Sequence, residues 1–407
     1  MKLHKNIAEG ILQGIESVLK NEKALRTTLS QLLKQNRKWG SRDRRFLGEG
    51  VLEIVRWKRL YEWMGQLDSK SENYYWNLIG VWIISKNREL PDWNVFSEIK
   101  NLKLQSEDAN LPLAVKESIP DWLNELGLST FSKEEWEKEI LSLNGSAPLF
   151  LRVNTLKTTS KKLQVVLKKE HNITAHPKSD VANALMIEVH QKLDHLDIFK
   201  KGLFEIQDIN SQRVSLFASP KPGDLVIDVC AGAGGKTLHM AALMENQGEI
   251  IAVDPYVKKL EQLEKRAQRN GVKIVHTFKD QTNFKVANFK NRANLVLIDA
   301  PCSGLGVLRR NPAAKWHMNP TKINKLVPIQ QQILQENAEL VAAEGSLVYA
   351  TCTLFPAENQ EQIQAFLKSK EGSDFILERE ISLLSYQTEG DGFYMAKMIK
   401  KVSSNEL

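Results

Sequence analysis

Two of the three cysteines stand in small, polar surroundings: Asp299-Ala300-Pro301-Cys302-Ser303-Gly304 and Ala350-Thr351-Cys352-Thr353. Each follows an apolar run of strand-like composition, 294–300 in the first case and 346–352 in the second. A lone cysteine at a strand end is ordinarily a small buried residue. Two at the ends of neighbouring strands would put both thiols on one rim of a sheet, and that points to chemistry. A thiolate adding to carbon 6 of a cytosine makes carbon 5 nucleophilic enough to take a methyl group from a sulfonium. A second group then removes the carbon 5 proton so that the thiolate can leave. The attacking thiol needs an electropositive setting, because a free thiol has a pKa of about 8.5. Asp299 can hydrogen-bond the base edge and steady or protonate its ring nitrogen as charge builds. Spacing alone leaves open which cysteine attacks. Cys230 lacks that polar context and is read as packing in, or lining, a turn. The three cysteines form no CxxC pair, and their odd number argues against a disulfide framework, so no metal site is expected.

The methyl donor would need its own site. Asp228-Val229-Cys230-Ala231-Gly232-Ala233-Gly234-Gly235-Lys236-Thr237 ends an apolar run and opens a helical pattern. A glycine-rich turn there lets the backbone approach a ligand at a helix N-terminus. A P-loop would need glycine where Cys230 stands, and a dinucleotide loop would need glycine where Thr237 stands. An S-adenosylmethionine loop needs an acid and then a GxG turn, which Asp228 and Gly232-Ala233-Gly234 supply. Acids follow the next strands in register. Asp254 is placed to accept from ribose hydroxyls, Asp280 to take an adenine amino group, and Asp299 closes the strand before Cys302. A lone Asp after a strand is more often a helix cap; three in succession favour a binding edge.

These residues require a sheet. Strands are expected at 225–230, 249–254, 273–278, 294–300 and 346–352, with helices at 236–245, 256–270, 321–343 and 356–368. Near-continuous apolar strands such as Leu295-Val296-Leu297-Ile298 suit a parallel sheet covered on both faces. Two last strands, about 374–380 and 391–400, read as an antiparallel edge hairpin. The whole is a doubly wound α/β domain, in which ligands bind beyond the strand carboxyl ends. Before it, Leu149–Asn154 and a Lys-rich helix at 160–170 suggest a small α+β connecting module. The first third is all-helical, with Ile7, Ile11, Ile15 and Leu47, Val51, Ile54 at helical spacing and a helix start at Ser41-Arg42-Asp43. The expected domains are therefore 1–143, 144–205 and 206–401.

The 407 residues are 42% hydrophobic, enough for sizeable cores and too many for one ordinary domain. No apolar run reaches membrane-spanning length, and Met1 to Lys20 contain no signal-like segment, so the protein is read as cytoplasmic and without a membrane partner. It is also read as a monomer. A net charge of +7 favours a polyanionic partner. Nine basic residues fall between Lys34 and Arg59 (Lys34, Arg37, Lys38, Arg42, Arg44, Arg45, Arg56, Lys58 and Arg59), against three acidic ones. Trp39, Trp57, Tyr61 and Trp63 are interleaved or follow. A solvated helix face with core aromatics would look the same. The alternative is an RNA-contacting surface, with guanidinium groups on phosphates and aromatics on bases.

Taken together, these motifs resemble the Sun/Nop family of RNA (cytosine-5-)methyltransferases over roughly residues 147–400. The resemblance rests on 230–237, 299–304 and 351–353, with Leu151-Arg152-Val153-Asn154, Gln207-Asp208 with Ser211, and Arg309-Arg310-Asn311-Pro312 through Trp316. The family's loop usually reads Cys-Ala-Ala-Pro-Gly-Gly-Lys; here Gly232-Ala233 replaces Ala-Pro. The resemblance implies a class I, Rossmann-like domain that binds S-adenosylmethionine through Cys230, Ala231, Gly232, Ala233, Gly234, Gly235, Lys236, Asp254, Asp280 and Asp299. It implies Cys352 as nucleophile and Cys302 as the residue needed for product release. The first 65 residues are similar to a NusB-like helical RNA-binding domain, an arrangement similar to that of bacterial 16S rRNA cytosine methyltransferases. rRNA is then the expected substrate. A tRNA substrate, and a non-catalytic RNA-binding assembly factor, are the alternatives.

Overall fold

The computed structural model describes residues 3–36, 38–106, 110–188, 192–279 and 288–402. Two compact units divide the chain: 1–145 with 307–320, and 146–306 with 321–407.

The first unit is helical. Helices Lys5–Ile15, Leu25–Gln35, Ser41–Met64 and Tyr74–Ser85 surround one apolar core. Ile7, Ile11 and Ile15 recur every four residues and are buried among Leu47, Val51, Ile54, Leu78 and Trp82, as their helical period requires. The long helix begins at Ser41 and is kinked at Trp57, whose backbone leaves the helical region. Helices Asp121–Thr130 and Lys133–Asn144 follow, the second opened by a capping box between Ser132 and Glu135. Residues 307–320 belong to this unit. Ala313 sits in its core, Trp316 Nε1 donates to the Val55 carbonyl at 2.6 Å, and the buried Lys315 donates to Asn144 Oδ1 at 3.1 Å.

The second unit is α/β. A small antiparallel sheet has the order β2-β3-β1-β4, formed by β1 (Leu149–Val153), β2 (Ala175–Pro177), β3 (Ala184–Ile187) and β4 (Phe204–Ile206). The helix Ser160–His171, capped by Thr159, packs Leu163 and Leu167 against it. The main sheet contains β5 (Leu225–Asp228), β6 (Glu249–Val253), β7 (Val275–Phe278), β8 (Ala293–Asp299), β9 (Val341–Thr351), β10 (Phe375–Leu383) and β11 (Phe393–Lys400). Its order is β10-β11-β9-β8-β5-β6-β7. β5 to β9 are parallel, while β11 is antiparallel to both β9 and β10. β5 and β8 are neighbours, so successive crossovers leave in opposite directions from the carboxyl ends of these strands. That is the switch point where such sheets bind ligands. The helix expected at 321–343 stops at Ala338, and β9 starts at Val341. Its first residues pair with Ala293 before a register shift, and this early segment carries too little apolar alternation to be seen as strand.

Candidate active site

The loop after β5 shapes a cleft of about 610 Å³. Cys230, Ala231, Gly232, Ala233, Gly235, Lys236, Asp254 and Asp299 all line it, as does Asp228. Gly234 does not. It stands behind the loop as the N-cap of the helix Gly235–Leu243, at φ +84°, in the left-handed region where a side chain is strained. A Cβ there would meet Leu263 Cγ at 2.6 Å. Gly232 also has a positive φ, but a Cβ on it would find nothing nearer than Asp254 Oδ2 at 4.0 Å, so its backbone faces open cleft. Asp280 lies outside the described residues.

Fixed partners hold the loop. Arg266 donates to the Ala233 carbonyl at 2.6 Å and to Glu205 Oε2 at 3.0 Å. The buried Arg152 on β1 donates to the Gly235 carbonyl at 2.6 Å and to Gln207 Oε1 at 2.7 Å. Gly232 N and Tyr256 N each donate to one oxygen of Asp254 at 2.9 Å. Each oxygen of that carboxylate keeps a second lone pair for a ligand hydroxyl. Asp228 Oδ2 accepts from Thr237 Oγ1 at 2.7 Å, whereas its buried Oδ1 has no partner. Burial pushes the Asp228 carboxyl up to about 7, against the Thr237 hydrogen bond. A buried acceptor without a donor is costly, and a ligand ammonium is the group that would satisfy it. The loop cradle, the Asp254 carboxylate and this orphan oxygen fit S-adenosylmethionine.

Beside the cleft, Lys236 Nζ and Asp299 Oδ2 form an ion pair at 2.5 Å. Burial opposes the Lys236 charge, yet Asp299 and then the nearby Cys352 outweigh it and hold its pKa above the ordinary value. The two expected catalytic cysteines meet. Cys302 Sγ and Cys352 Sγ are 3.4 Å apart, and Cys352 N donates to Cys302 Sγ at 3.4 Å. The hydrogen bond to Cys352, then burial, push the Cys302 thiol well above its usual pKa. Cys230 is also pushed up, by burial and then by Asp228 and the neighbouring acids, which leaves it a poor nucleophile. Among the described residues no group of side chains is arranged to hold a metal ion, and no helix is long and apolar enough to cross a membrane.

Some lining residues carry no local signal. Ile333, Glu336 and Asn337 enter the cleft from the helix Pro320–Ala338, and Tyr256 and Lys259 line it from the segment after β6. Half of the eight described basic residues in the stretch 34–59 are at least partly buried and engaged within the helical unit, Lys58 with Glu62 among them. Arg44 donates to the Leu33, Asn36 and Trp39 carbonyls, Arg56 is buried on the Asn144 and Arg309 carbonyls, and Arg59 pairs with Asp121. Trp39 and Tyr61 are buried in the core. Lys34, Lys38, Arg42 and Arg45 remain exposed; Arg37 lies outside the described residues.

Comparison with known proteins fits this geometry. Residues 215–399 match the family described as 16S rRNA methyltransferase RsmB/F, and 119–194 match the ferredoxin-like domain of RsmF/B-like methyltransferases. The chain is 34% identical over 310 residues, 72% of its length and 69% of the relative's, to the probable ribosomal RNA small subunit methyltransferase B of Synechocystis sp.. Its fold is like that of PH0851, with a TM-score of 0.79 at 24% identity, covering 98% of this chain and 100% of that one. It is also like that of NSun6 from Pyrococcus horikoshii, solved with SFG, an S-adenosylmethionine analogue, with a TM-score of 0.63 at 23% identity over 70% of this chain and 99% of that one. A Rossmann-like sheet, a glycine loop built for S-adenosylmethionine and this degree of similarity lead to one conclusion: the chain belongs to the RsmB/F family of rRNA methyltransferases, enzymes that depend on S-adenosylmethionine.

Proposed function

We propose that the chain methylates carbon 5 of a cytosine in 16S rRNA through a covalent bond between Cys352 and carbon 6 of the base. The observation that carries this reading is the pair of thiols 3.4 Å apart next to the Lys236–Asp299 ion pair. Methylation of an exocyclic amine or a ribose hydroxyl needs no thiol, and a single covalent step needs only one.

Bound S-adenosylmethionine supplies an electrophilic methyl group. The protein's own residues do the rest. Cys302 holds its proton beside Cys352, and the attacking thiolate is assigned to Cys352. Lys236 is the cation within electrostatic reach of that charge. The Cys352 thiolate adds to carbon 6, and the Asp299–Lys236 pair offers an acceptor for the exocyclic amine and a proton for the ring nitrogen. Once Cys352 is a neutral thioether, its hydrogen bond, the largest of the causes that retain the Cys302 proton, is gone, and the proton passes to water against the burial and the Glu358 charge that remain. Carbon 5 of the adduct takes the methyl group, the Cys302 thiolate then removes the carbon 5 proton, the carbon 6–sulfur bond breaks, Cys352 regains its electron pair, and the ring nitrogen returns its proton to the Asp299–Lys236 pair. A stacked or paired cytosine must first be extruded to reach these groups. The exposed Lys34, Lys38, Arg42 and Arg45 of the helical unit contact RNA phosphates.

The test incubates the protein with methyl-labelled S-adenosylmethionine and, in parallel, small-subunit rRNA or tRNA from cells lacking the activity, then digests each RNA to nucleosides. Label in 5-methylcytidine is expected. Label in another nucleoside refutes the chemistry, and label entering tRNA in preference to rRNA refutes the substrate.

A further inference from the structure

Two adjacent residues outside the motifs above hold the chain on both sides of both cysteines, one of them partly through Gln330. Glu358 ends a short turn, Pro356–Glu358, that follows β9, and its residue is completely buried. Its carboxylate accepts from Ser303 N at 2.8 Å, from Ser303 Oγ at 2.5 Å and from Gln330 Nε2 at 3.0 Å. Gln330 Nε2 also donates to the Pro301 carbonyl at 2.9 Å. Cys302 is thus gripped at the residue after it directly, and at the residue before it through Gln330. Asn359, also buried, does the same for Cys352. Its Oδ1 accepts from Thr351 Oγ1 at 2.5 Å and its Nδ2 donates to the Thr353 carbonyl at 3.1 Å. Ser303 Oγ lies 3.0 Å from Thr353 Oγ1 and joins the two grips. The Tyr349 hydroxyl donates to the Glu358 carbonyl at 2.8 Å and fixes the dipeptide to β9.

A buried carboxylate is expensive unless its lone pairs are filled. Glu358 spends its hydrogen-bonding capacity on the Cys302 loop. Neither residue touches the cofactor cleft, whose lining includes neither of them. Their contacts instead set where each sulfur stands.

We propose that Glu358 and Asn359 are positioning residues that place the two thiols separately, Glu358 acting on Cys302 and Asn359 on Cys352. The inference rests on the roles proposed above for the cysteines, and its consequences divide with them. Loosening Cys302 slows release and leaves the bond to RNA in place. Loosening Cys352 slows formation of that bond. A displacement of about 1 Å in a reacting group can cost about 100-fold in rate.

The experiment compares Glu358→Ala, Glu358→Gln and Asn359→Ala in the full-length protein with S-adenosylmethionine and rRNA, reading single-turnover methyl transfer, steady-state turnover and RNA–protein adduct on denaturing gels. For Glu358→Ala the account expects turnover lowered about 100-fold, methyl transfer within about threefold of wild type, and accumulated adduct. Glu358→Gln, which can still accept from Ser303 N and Gln330 and donate to Ser303 Oγ, should largely restore turnover. Asn359→Ala should lose methyl transfer and show no adduct. If Glu358→Ala does not fold, Ser303→Ala, which removes only the hydroxyl contacts, is read in its place and should show the same adduct to a smaller extent. Equal loss of both rates without adduct in the Glu358 and Ser303 variants overturns the proposal. Cys302→Ala run alongside separates the two levels. If it also yields no adduct, the reading of the cysteine roles has failed; if it yields adduct while the Glu358 and Ser303 variants do not, only the positioning proposal has.

Discussion

Replacing Gly234 by Ala is the sharpest test of how the cofactor loop is built. At φ +84° the new side chain would occupy a left-handed backbone, costing about 1–2 kcal/mol. Its Cβ would stand 2.6 Å from Leu263 Cγ and 3.2 Å from Leu263 Cβ and Cδ1. Leu263 cannot withdraw, because it is fully buried among Ala231, Leu238, Ala252 and Leu260. Overpacking of that kind costs about 1–3 kcal/mol. The two effects together give about 2–5 kcal/mol, taken as lost stability of the α/β unit or as displacement of the loop. Gly232→Ala is the internal control. It carries the backbone cost at φ +55° without the collision, so it should lose about 1–2 kcal/mol. Denaturant unfolding measures the stability, and calorimetric titration with S-adenosylmethionine measures the affinity. Because 1.4 kcal/mol is about a factor of ten, a loop that moves to relieve the clash should weaken binding at least tenfold. A Gly234→Ala protein within about 0.5 kcal/mol of wild type, binding with unchanged affinity, would refute the reasoning.

Other outcomes follow from the same geometry. Burial holds Asp228 at about 7, far above an ordinary carboxyl, so the folded chain keeps a proton there that the unfolded chain releases above about pH 4. This contribution to stability is fully present below about pH 4 and is lost as pH rises through about 7. A cofactor ammonium prefers the ionised form, so binding should release a proton and tighten between about pH 6 and pH 8. Titration in buffers of different ionisation heat would detect this, and Asp228→Asn should abolish it. Changing Lys34, Lys38, Arg42 and Arg45 together to Gln should weaken RNA binding and reduce the slope of log affinity against log salt by about 3; an unchanged slope removes these residues from the interface. Arg152→Met should remove the support of both the Gly235 carbonyl and the Gln207 side chain and weaken S-adenosylmethionine binding in the same calorimetric titration; an unchanged affinity removes Arg152 from the support of the loop.

Much of the candidate edge was readable because its residues follow local rules. Near-continuous apolar runs marked the strands from β5 to β9, and acids and glycines at their ends marked the ligand edge. What escaped depends on packing between distant segments. Ile333, Glu336 and Asn337 line the cleft only because their helix lies against the sheet, and their spacing resembles any amphipathic helix. Glu358 and Asn359 look like polar residues at a helix start until Ser303 and Thr353 are seen beside them. Residues 307–320 follow the Cys302 loop in sequence yet join the helical core, a destination set by Ala313 and Trp316 rather than by any composition change. The basic stretch left a solvated face and an RNA-contacting surface open, and part of it serves neither. Arg44, Arg56 and Arg59 read equally as solvated charges or as phosphate contacts, but backbone carbonyls and Asp121 take them up.

The division of labour between the cysteines is the centre of the account, and denaturing gels of Cys302→Ala and Cys352→Ala with rRNA and S-adenosylmethionine test it directly. The account expects a stable RNA adduct with Cys302→Ala, where Cys352 still attacks and release fails, and neither adduct nor methyl transfer with Cys352→Ala. Adduct formed by Cys352→Ala and absent from Cys302→Ala would contradict it.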